Sequence, residues 1–248
     1  MDTLGRAGRD RNPVSGVGVL DRSMALLGLL ADGPRSLRSL AEASGLPRPT
    51  VHRLLVALES HRLAGRDADG AFRLGPRLTE LALRAGSGFE LGSLAAGVLA
   101  RLHDQTGESV QLYLRSGDRR LCVAARDAGA GLRDSVPVGE LLPLDAGSGG
   151  KVLLAWSHDA ERFPAVPATE LAIVRRRGWA SSIAEREPGV ASVSAPVLRD
   201  GVLLGALCVS GPASRLGSSP GRRLAPLVAA AARELAALAA GAGGSPAG

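Results

Sequence analysis

Apolar residues recur along the first third of the chain at helical spacing and then at strand spacing. Leu20, Met24, Leu27 and Leu30 predict a first helix over residues 17–31, ended by Asp32-Gly33-Pro34. Leu37, Leu40 and Ala41 predict a short second helix that Ser36 caps and Gly45 ends. Beyond the turn Ser44-Gly45-Leu46-Pro47, the residues Val51, Leu54, Leu55 and Leu58 form one apolar stripe on a helix over residues 48–61. Pro47 and Pro49 suit its first turn, where a missing N–H costs nothing. Residues 63–66 and 71–74 then read as two short strands about Asp67-Ala68-Asp69-Gly70. Two helices meeting at a glycine-containing turn and followed by a hairpin make a winged helix-turn-helix.

A segment with Leu78, Leu81, Ala82 and Ala85 on one face predicts a linker helix within residues 76–90, ended at Gly86-Ser87-Gly88, and a second helix covers residues 91–105. The period then falls to two. Val110, Leu112 and Leu114 alternate with Gln111 and Tyr113, and Leu121, Val123 and Ala125 alternate beyond Ser116-Gly117-Asp118. A glycine-rich loop over residues 128–132 and a segment over 136–144 precede helices over 148–156 and 169–177, the latter stopped by Gly178-Trp179. Residues 190–198 and 202–210 form a second hairpin about Arg199-Asp200-Gly201. A last helix carries Leu224, Val228, Ala231, Leu235 and Leu238, and Pro226 limits its regular part to the residues that follow. Antiparallel hairpins flanked by helices give an α+β domain. The organisation is therefore an arm (1–15), a winged helix-turn-helix (16–75), a linker helix (76–90), an α+β domain (91–240) and a low-complexity tail (241–248), with arm and tail expected to be disordered.

The outer face of the 48–61 helix presents Pro49, Arg53, Val56, Ala57 and Ser60, with Thr50 and His52 at its margins. A helix that enters a major groove needs such a small polar face, and an arginine can pair bidentately with guanine. Between Arg35 and Arg77 there are eight arginines and four acids, a local excess of +4 that suits a polyanion. Net charge over the whole chain is +6, yet from residue 91 onward 17 basic residues meet 14 acidic ones, so net charge alone locates nothing. Arg6, Arg9 and Arg11 lie in the arm, where a frayed terminus is the simpler reading.

Cys122 and Cys208 are too few for a disulfide framework, so a reducing cytoplasm fits. The first fifteen residues lack the apolar core of a signal peptide, and no apolar run approaches the roughly 20 residues of a membrane span. The four histidines (His52, His61, His103, His158) have no metal-ligand spacing, and no nucleophile elbow, Cys-x-x-Cys or dinucleotide fingerprint occurs. The reading is not an enzyme, with no cofactor and no metal. The loop Asp145-Ala146-Gly147-Ser148-Gly149-Gly150-Lys151 fails as a P-loop, because Asp145 stands where its first Gly belongs and Val152 where a Ser or Thr should hold magnesium.

The stretch from Leu20 to Leu78, with LPLDAGSGGKVLLAW and RRRGWASSIAEREPGVASVSAPVLRDGVLLGALCVSGPASRL, resembles the isocitrate lyase regulator (IclR) family of bacterial transcription factors in both halves and in the family's order, over about residues 16–240. The resemblance implies a GAF-like fold for the larger domain, which binds a small-molecule effector, and a homodimer or pairs of dimers whose first helix joins the dimer contact. The implied partner is a double-stranded DNA operator, under repression or activation. Base-reading falls to Pro49, Thr50 and Arg53, and phosphate contacts to Ser36, Arg48, His52, Arg66 and Arg73. For the effector, the resemblance points to Leu144, Ser148, Gly149 and Gly150, where a helix N-terminus favours a carboxylate, and to Ser182, Ser192, Cys208 and Ser210. Family members usually show a Thr-Ala-Ala-like run where Gly147-Ser148-Gly149 stands, and often an acid near Ser182 and a Cys near Ser192, so the lining here is altered. Strand alternation puts Ser192 and Ser194 on one face and Ala206, Cys208 and Ser210 on one face of the neighbour. Trp179 is expected beside this pocket. Two readings stand against the effector domain: a GAF-like enzyme, and a thiol redox sensor acting through Cys122 or Cys208.

Overall fold

The computed structural model describes residues 15–84, 87–129 and 134–242. The arm's Arg6, Arg9 and Arg11, most of the loop over residues 128–132 and the tail after residue 242 lie outside the described residues. The chain divides into two compact units, Met1–Ala85 and Gly86–Gly248.

In the first unit three helices, α1 (Gly18–Ala31), α2 (Leu37–Ser44) and α3 (Arg48–Ser60), precede a hairpin of β1 (Ala64–Arg66) and β2 (Phe72–Leu74) and a helix α4 (Pro76–Arg84). The α3 stripe of Val51, Leu54, Leu55 and Leu58 is buried with Leu40, Leu26, Leu27, Leu30, Ala64 and Phe72. Leu20 and Met24, expected on the buried stripe of α1, are each 51% exposed, because only the last turns of that helix reach the core. In the wing, the Asp67 carboxylate accepts from Asp69 N (3.1 Å) and Ala71 N (2.8 Å), and Gly70 takes a positive φ of 79°. A β-bridge from Arg35 to Phe72 adds a third short rung to the hairpin. Arg62 and Arg77 (2.9 Å) both bind the Glu80 carboxylate of α4. The hydrogen bond from Arg77 holds that carboxyl below its usual range.

The second unit begins with α5 (Ser87–Thr106), four residues earlier than the periodicity suggests, so Ser87 and Gly88 start this helix and do not merely end α4. It continues as β3 (Ser109–Ser116), β4 (Arg119–Arg126), β5 (Leu141–Pro143), α6 (Ser148–Ala155), a short 3-10 turn (Ala160–Arg162), α7 (Ala168–Arg177), β6 (Ala180–Ile183), β7 (Val190–Arg199), β8 (Val202–Pro212), α8 (Ala213–Leu216) and α9 (Pro220–Ala242). The strands form one antiparallel sheet in the order β5-β4-β3-β8-β7-β6. Asp200 and Gly201 both have positive φ, 51° and 78°, and form a two-residue turn; Arg199 already pairs with Val202.

Alternation divides the sheet into two unlike faces. Val110, Leu112, Val193, Ala195, Leu207 and Val209 lie in an apolar cluster with α5 and α9. The residues between them, including Gln111, Ser192, Ser194, Cys208 and Ser210, turn the other way, toward α6. The helix α9 starts at Pro220, so Pro226 lies within it instead of before it. Leu224 and Ala225 are buried at that point, and their packing on the sheet holds the turn that Pro226 leaves one hydrogen bond short. By length and composition Pro220–Gly241 could cross a membrane, contrary to the expectation from the sequence. Its Leu224, Val228, Ala232 and Leu235 are nevertheless core residues, and Leu238, expected on the same stripe, is 42% exposed.

Candidate DNA-reading face and effector pocket

The turn between α2 and α3 is fixed from both sides. Ser36 caps α2 by accepting from Ser39 N (3.2 Å), and Gly45 ends it with φ of 69°. Pro47 O accepts from Thr50 N (2.9 Å) and Val51 N (3.1 Å), opening α3 with no acidic residue in its first turn. Arg48, Pro49, His52, Arg53, Val56 and Ala57 are exposed on α3, and Thr50 is half-buried.

The eight arginines between Arg35 and Arg77 divide cleanly. Arg35 pairs with Asp32, Arg38 with Glu42, Arg66 with Glu59, and Arg62 and Arg77 with Glu80. Of these eight, Arg48, Arg53 and Arg73 have no ion pair among the described residues. Within this stretch the uncommitted positive charge therefore sits at the start of α3, in its middle and on the wing. Arg66, expected to grip phosphate, is 3.0 Å from Glu59 and stacks 4.1 Å over the Phe72 ring. It lies opposite Phe72 in the hairpin, whereas Arg73 pairs with Gly65 and points to the other face.

In the second unit α6 enters through Gly147 (φ 82°) and is buried along its whole length. Ser148 Oγ is a hub: it lies 2.7 Å from Ser192 Oγ, 2.8 Å from Ser194 Oγ and 3.9 Å from Cys208 Sγ. Ser182 Oγ accepts from Ser148 N (3.2 Å) and is 2.8 Å from Ser192 Oγ, and Ser210 Oγ donates to Gln111 Oε1 (3.1 Å). The structure thus brings Ser148, Ser182, Ser192, Cys208 and Ser210 to one place. Leu144, 1% exposed, belongs to the apolar cluster under α6 and α7. Its carbonyl is the reason residue 150 is glycine, because a Cβ there would lie 2.0 Å from Leu144 O. A Cβ on Gly149 would lie 3.1 Å from the Tyr113 ring.

Sequence reasoning missed the charged members of this site. Lys151, 6% exposed, is held between Glu170 (2.7 Å) and Glu185 (2.5 Å), and Glu185 also accepts from Gly147 N. Arg186 pairs with buried Asp134. Arg120, 3% exposed, donates to the carbonyls of Pro143 and Ala146 and lies 5.2 Å from the Tyr113 ring. Burial pushes its guanidinium below the usual range and pushes the Tyr113 phenol up. Two adjacent arginines, Arg119-Arg120, in an alternating strand required one of them to point inward, a signal present in the sequence. The central cavity, lined by Tyr113, Ser182, Arg186, Ser192, Cys208 and Ser210 among others, is only about 20 Å³. Trp179 is not beside it. It stands one residue before Ala180, so alternation sends it to the α9 side, where its ring packs against Gly221.

Both thiols are buried and protonated: desolvation pushes Cys122 up to about 12, and Cys208 moves in the same direction. A redox switch needs an exposed thiolate. Ellman's reagent at about pH 8 is expected to titrate no thiol in the native protein and both cysteines after denaturation. Rapid native reaction of either thiol would restore the sensor reading.

A helix-turn-helix with a wing, joined to an α+β unit with a buried polar pocket, defines a ligand-responsive DNA-binding regulator. Comparison with known proteins agrees. The IclR helix-turn-helix domain matches residues 19–68, and the bacterial transcriptional regulator IclR C-terminal domain matches residues 83–169 and 165–237. The HTH-type transcriptional regulator BhcR of Paracoccus denitrificans is 31% identical over 93% of each chain. TtgV of Pseudomonas putida is 31% identical over 77% of this chain and 78% of its own. The crystal structure of Pseudomonas aeruginosa HmgR, 29% identical, matches with a TM-score of 0.68 over 89% of this chain and 98% of that one. An IclR homolog from Microbacterium hydrocarbonoxydans complexed with 4-hydroxybenzoate, 24% identical, shares the fold with a TM-score of 0.71 over 89% and 97%. The chain belongs to the IclR family of transcriptional regulators.

Proposed function

We propose that the protein acts as a homodimer in the bacterial cytoplasm, without catalysis, and that a small carboxylate in the second unit changes how two winged units engage a pseudo-palindromic operator. On this reading Pro49, Thr50 and Arg53 face base edges, Arg48, His52, Ser36 and Arg73 face phosphates, and Arg66 braces the wing against α3. The observation that carries it is the division of the eight arginines between Arg35 and Arg77, which have carboxylate partners except on α3 and the outer wing. Ser36 still has a hydroxyl proton to give a phosphate while its oxygen caps α2. The hydroxyl network around Ser148 also supports a binding role: its bonds run to other serines, whereas an attacking hydroxyl needs a general base beside it. Effector action requires different affinity for the two conformations, since equal affinity shifts nothing.

The test is fluorescence anisotropy on the DNA upstream of the protein's own gene, against a scrambled duplex. Sequence-selective binding that weakens on the order of 10³- to 10⁵-fold between 50 and 200 mM salt is expected for about 6 to 10 phosphate contacts. Arg53→Ala should cost about 1 to 3 kcal/mol and relax specificity at one base pair. An equal loss on every sequence would move Arg53 to the phosphate set, and no binding to any DNA would end the reading.

A further inference from the structure

The outer edge of the six-stranded sheet is only half covered. β6 pairs with β7 from Ala191 to Ser194 and stops, whereas β7 pairs with β8 as far as Arg199. Pro196 has no N–H to exchange with Ala206 opposite it, so its carbonyl turns away from β8. Leu198, two residues on, turns the same way. The Pro196 carbonyl and the N–H and carbonyl of Leu198 therefore face outward, with no strand beside them among the described residues. Such an edge is a template for one more strand, and Pro196 keeps that strand short.

A groove of about 470 Å³ runs along this edge between β7 and the flank of α9, with Gly178, Ala195, Pro196, Arg199, Ala229 and Arg233 among its lining. It lies on the α9 side of the sheet, across from the Ser148 network. Its α9 wall is low, because alanines stand at 229, 236, 237 and 240, and a low wall lets another main chain come close to the edge. The charge of the groove is one-sided. Among the described residues, Arg199 donates only to Ala239 O, at 3.4 Å, Arg233 has no ion pair, and Asp200 is the one acid of the lining. A second copy of the chain paired edge to edge would crowd four arginines together, which like charges oppose.

We propose that the groove takes an extended, acidic segment of another protein, which joins the sheet as a further strand beside residues 195–199 and sets its carboxylates against Arg199 and Arg233. Ala195 and Val197 point to α9, and by alternation so does Arg199, whose guanidinium reaches Ala239. The carboxylate-bearing residues of the added strand stand opposite this row. The residues between them stand opposite Pro196 and Leu198, give N–H groups to those two carbonyls and accept from Leu198 N–H. Main-chain bonds supply the affinity, and the alternate carboxylates supply the selectivity.

Fluorescence anisotropy of a labelled Val-Glu-Val-Glu-Val-Glu-Val peptide with the full-length protein tests this. The peptide is expected to bind saturably, and at least about 10-fold more tightly than the same peptide with lysine for glutamate, as a hydrogen bond to a charged group requires. Methylation of the valine nitrogens should weaken binding about 4- to 150-fold, the value of two main-chain hydrogen bonds, whereas methylation of the glutamate nitrogens should change it less than about 2-fold. Arg233→Glu, at an exposed position of α9 and checked by its melting curve, should lower affinity for the glutamate peptide at least about 10-fold and raise it for the lysine peptide. If that variant does not fold, Arg233→Gln decides, with a loss of at least about 3-fold for the glutamate peptide. No saturable binding, equal losses from the two methylations, or a folded Arg233 variant that binds as the parent does would each overturn the assignment. A peptide that binds only by splitting self-associated protein in sedimentation velocity would give the edge to a second copy, and competition by a scrambled duplex would make the groove a phosphate site; either result overturns it as well.

Discussion

Gly150→Ala is expected to destabilise the second unit by about 3 kcal/mol or more, the upper end of what overpacking costs. The sign is the reverse of the usual one. Alanine in place of a helical glycine normally gains up to about 1 kcal/mol, because it restricts the unfolded chain. Here the added Cβ would sit 2.0 Å from Leu144 O, 2.8 Å from Leu144 C and 2.9 Å from Arg120 Nη1. Neither side can retreat. Arg120 holds the chain at Pro143 and Ala146, and α6 is buried along its whole length. Urea unfolding followed by circular dichroism measures the effect, and a midpoint equal to or above that of the parent would show that the loop gives way.

Leu55→Ala is expected to unfold most of the DNA-binding unit. Leu55 is fully buried in the cluster where α1, α2, α3 and the hairpin meet, with Leu26 and Leu40 also at 0% exposure. Truncating such a leucine costs about 2 to 5 kcal/mol, and a domain of this size holds only about 5 kcal/mol in total. Because α3 is both the core of this unit and, on the proposed reading, its DNA-facing helix, lost packing becomes lost affinity. Operator affinity should fall far more than for Arg53→Ala, on specific and scrambled DNA alike. Parent-like affinity would mean that the cavity collapses at little cost.

The winged unit was legible because one helix stripe, one cap, one glycine turn and one Asp-Gly loop each specify local geometry, and all agree. The polar row of the sheet was legible too, since alternation alone places Ser192 with Ser194 and Cys208 with Ser210. What failed did so where tertiary packing outweighs local signals. The four-residue strand β6 is too short to show a period, so nothing local tells that Trp179 belongs on the α9 face. Propensity makes Pro226 a boundary, whereas buried Leu224 and Ala225 keep the helix going on both sides of it. The charged side of the pocket is the largest omission. Arg186 meets Asp134 across 52 residues and Lys151 meets Glu185 across 34, and no local pattern announces such pairs.

The two unlike faces of the sheet separate durability from taste. Along β7 and β8, Ala191, Val193, Leu207 and Val209 are sealed under α5 and α9, while their immediate neighbours Ser192, Ser194, Cys208 and Ser210 face the polar side toward α6. If the proposed pocket is where a metabolite binds, every second residue on two strands can be exchanged to re-address the scaffold while the residues that keep it folded stay untouched.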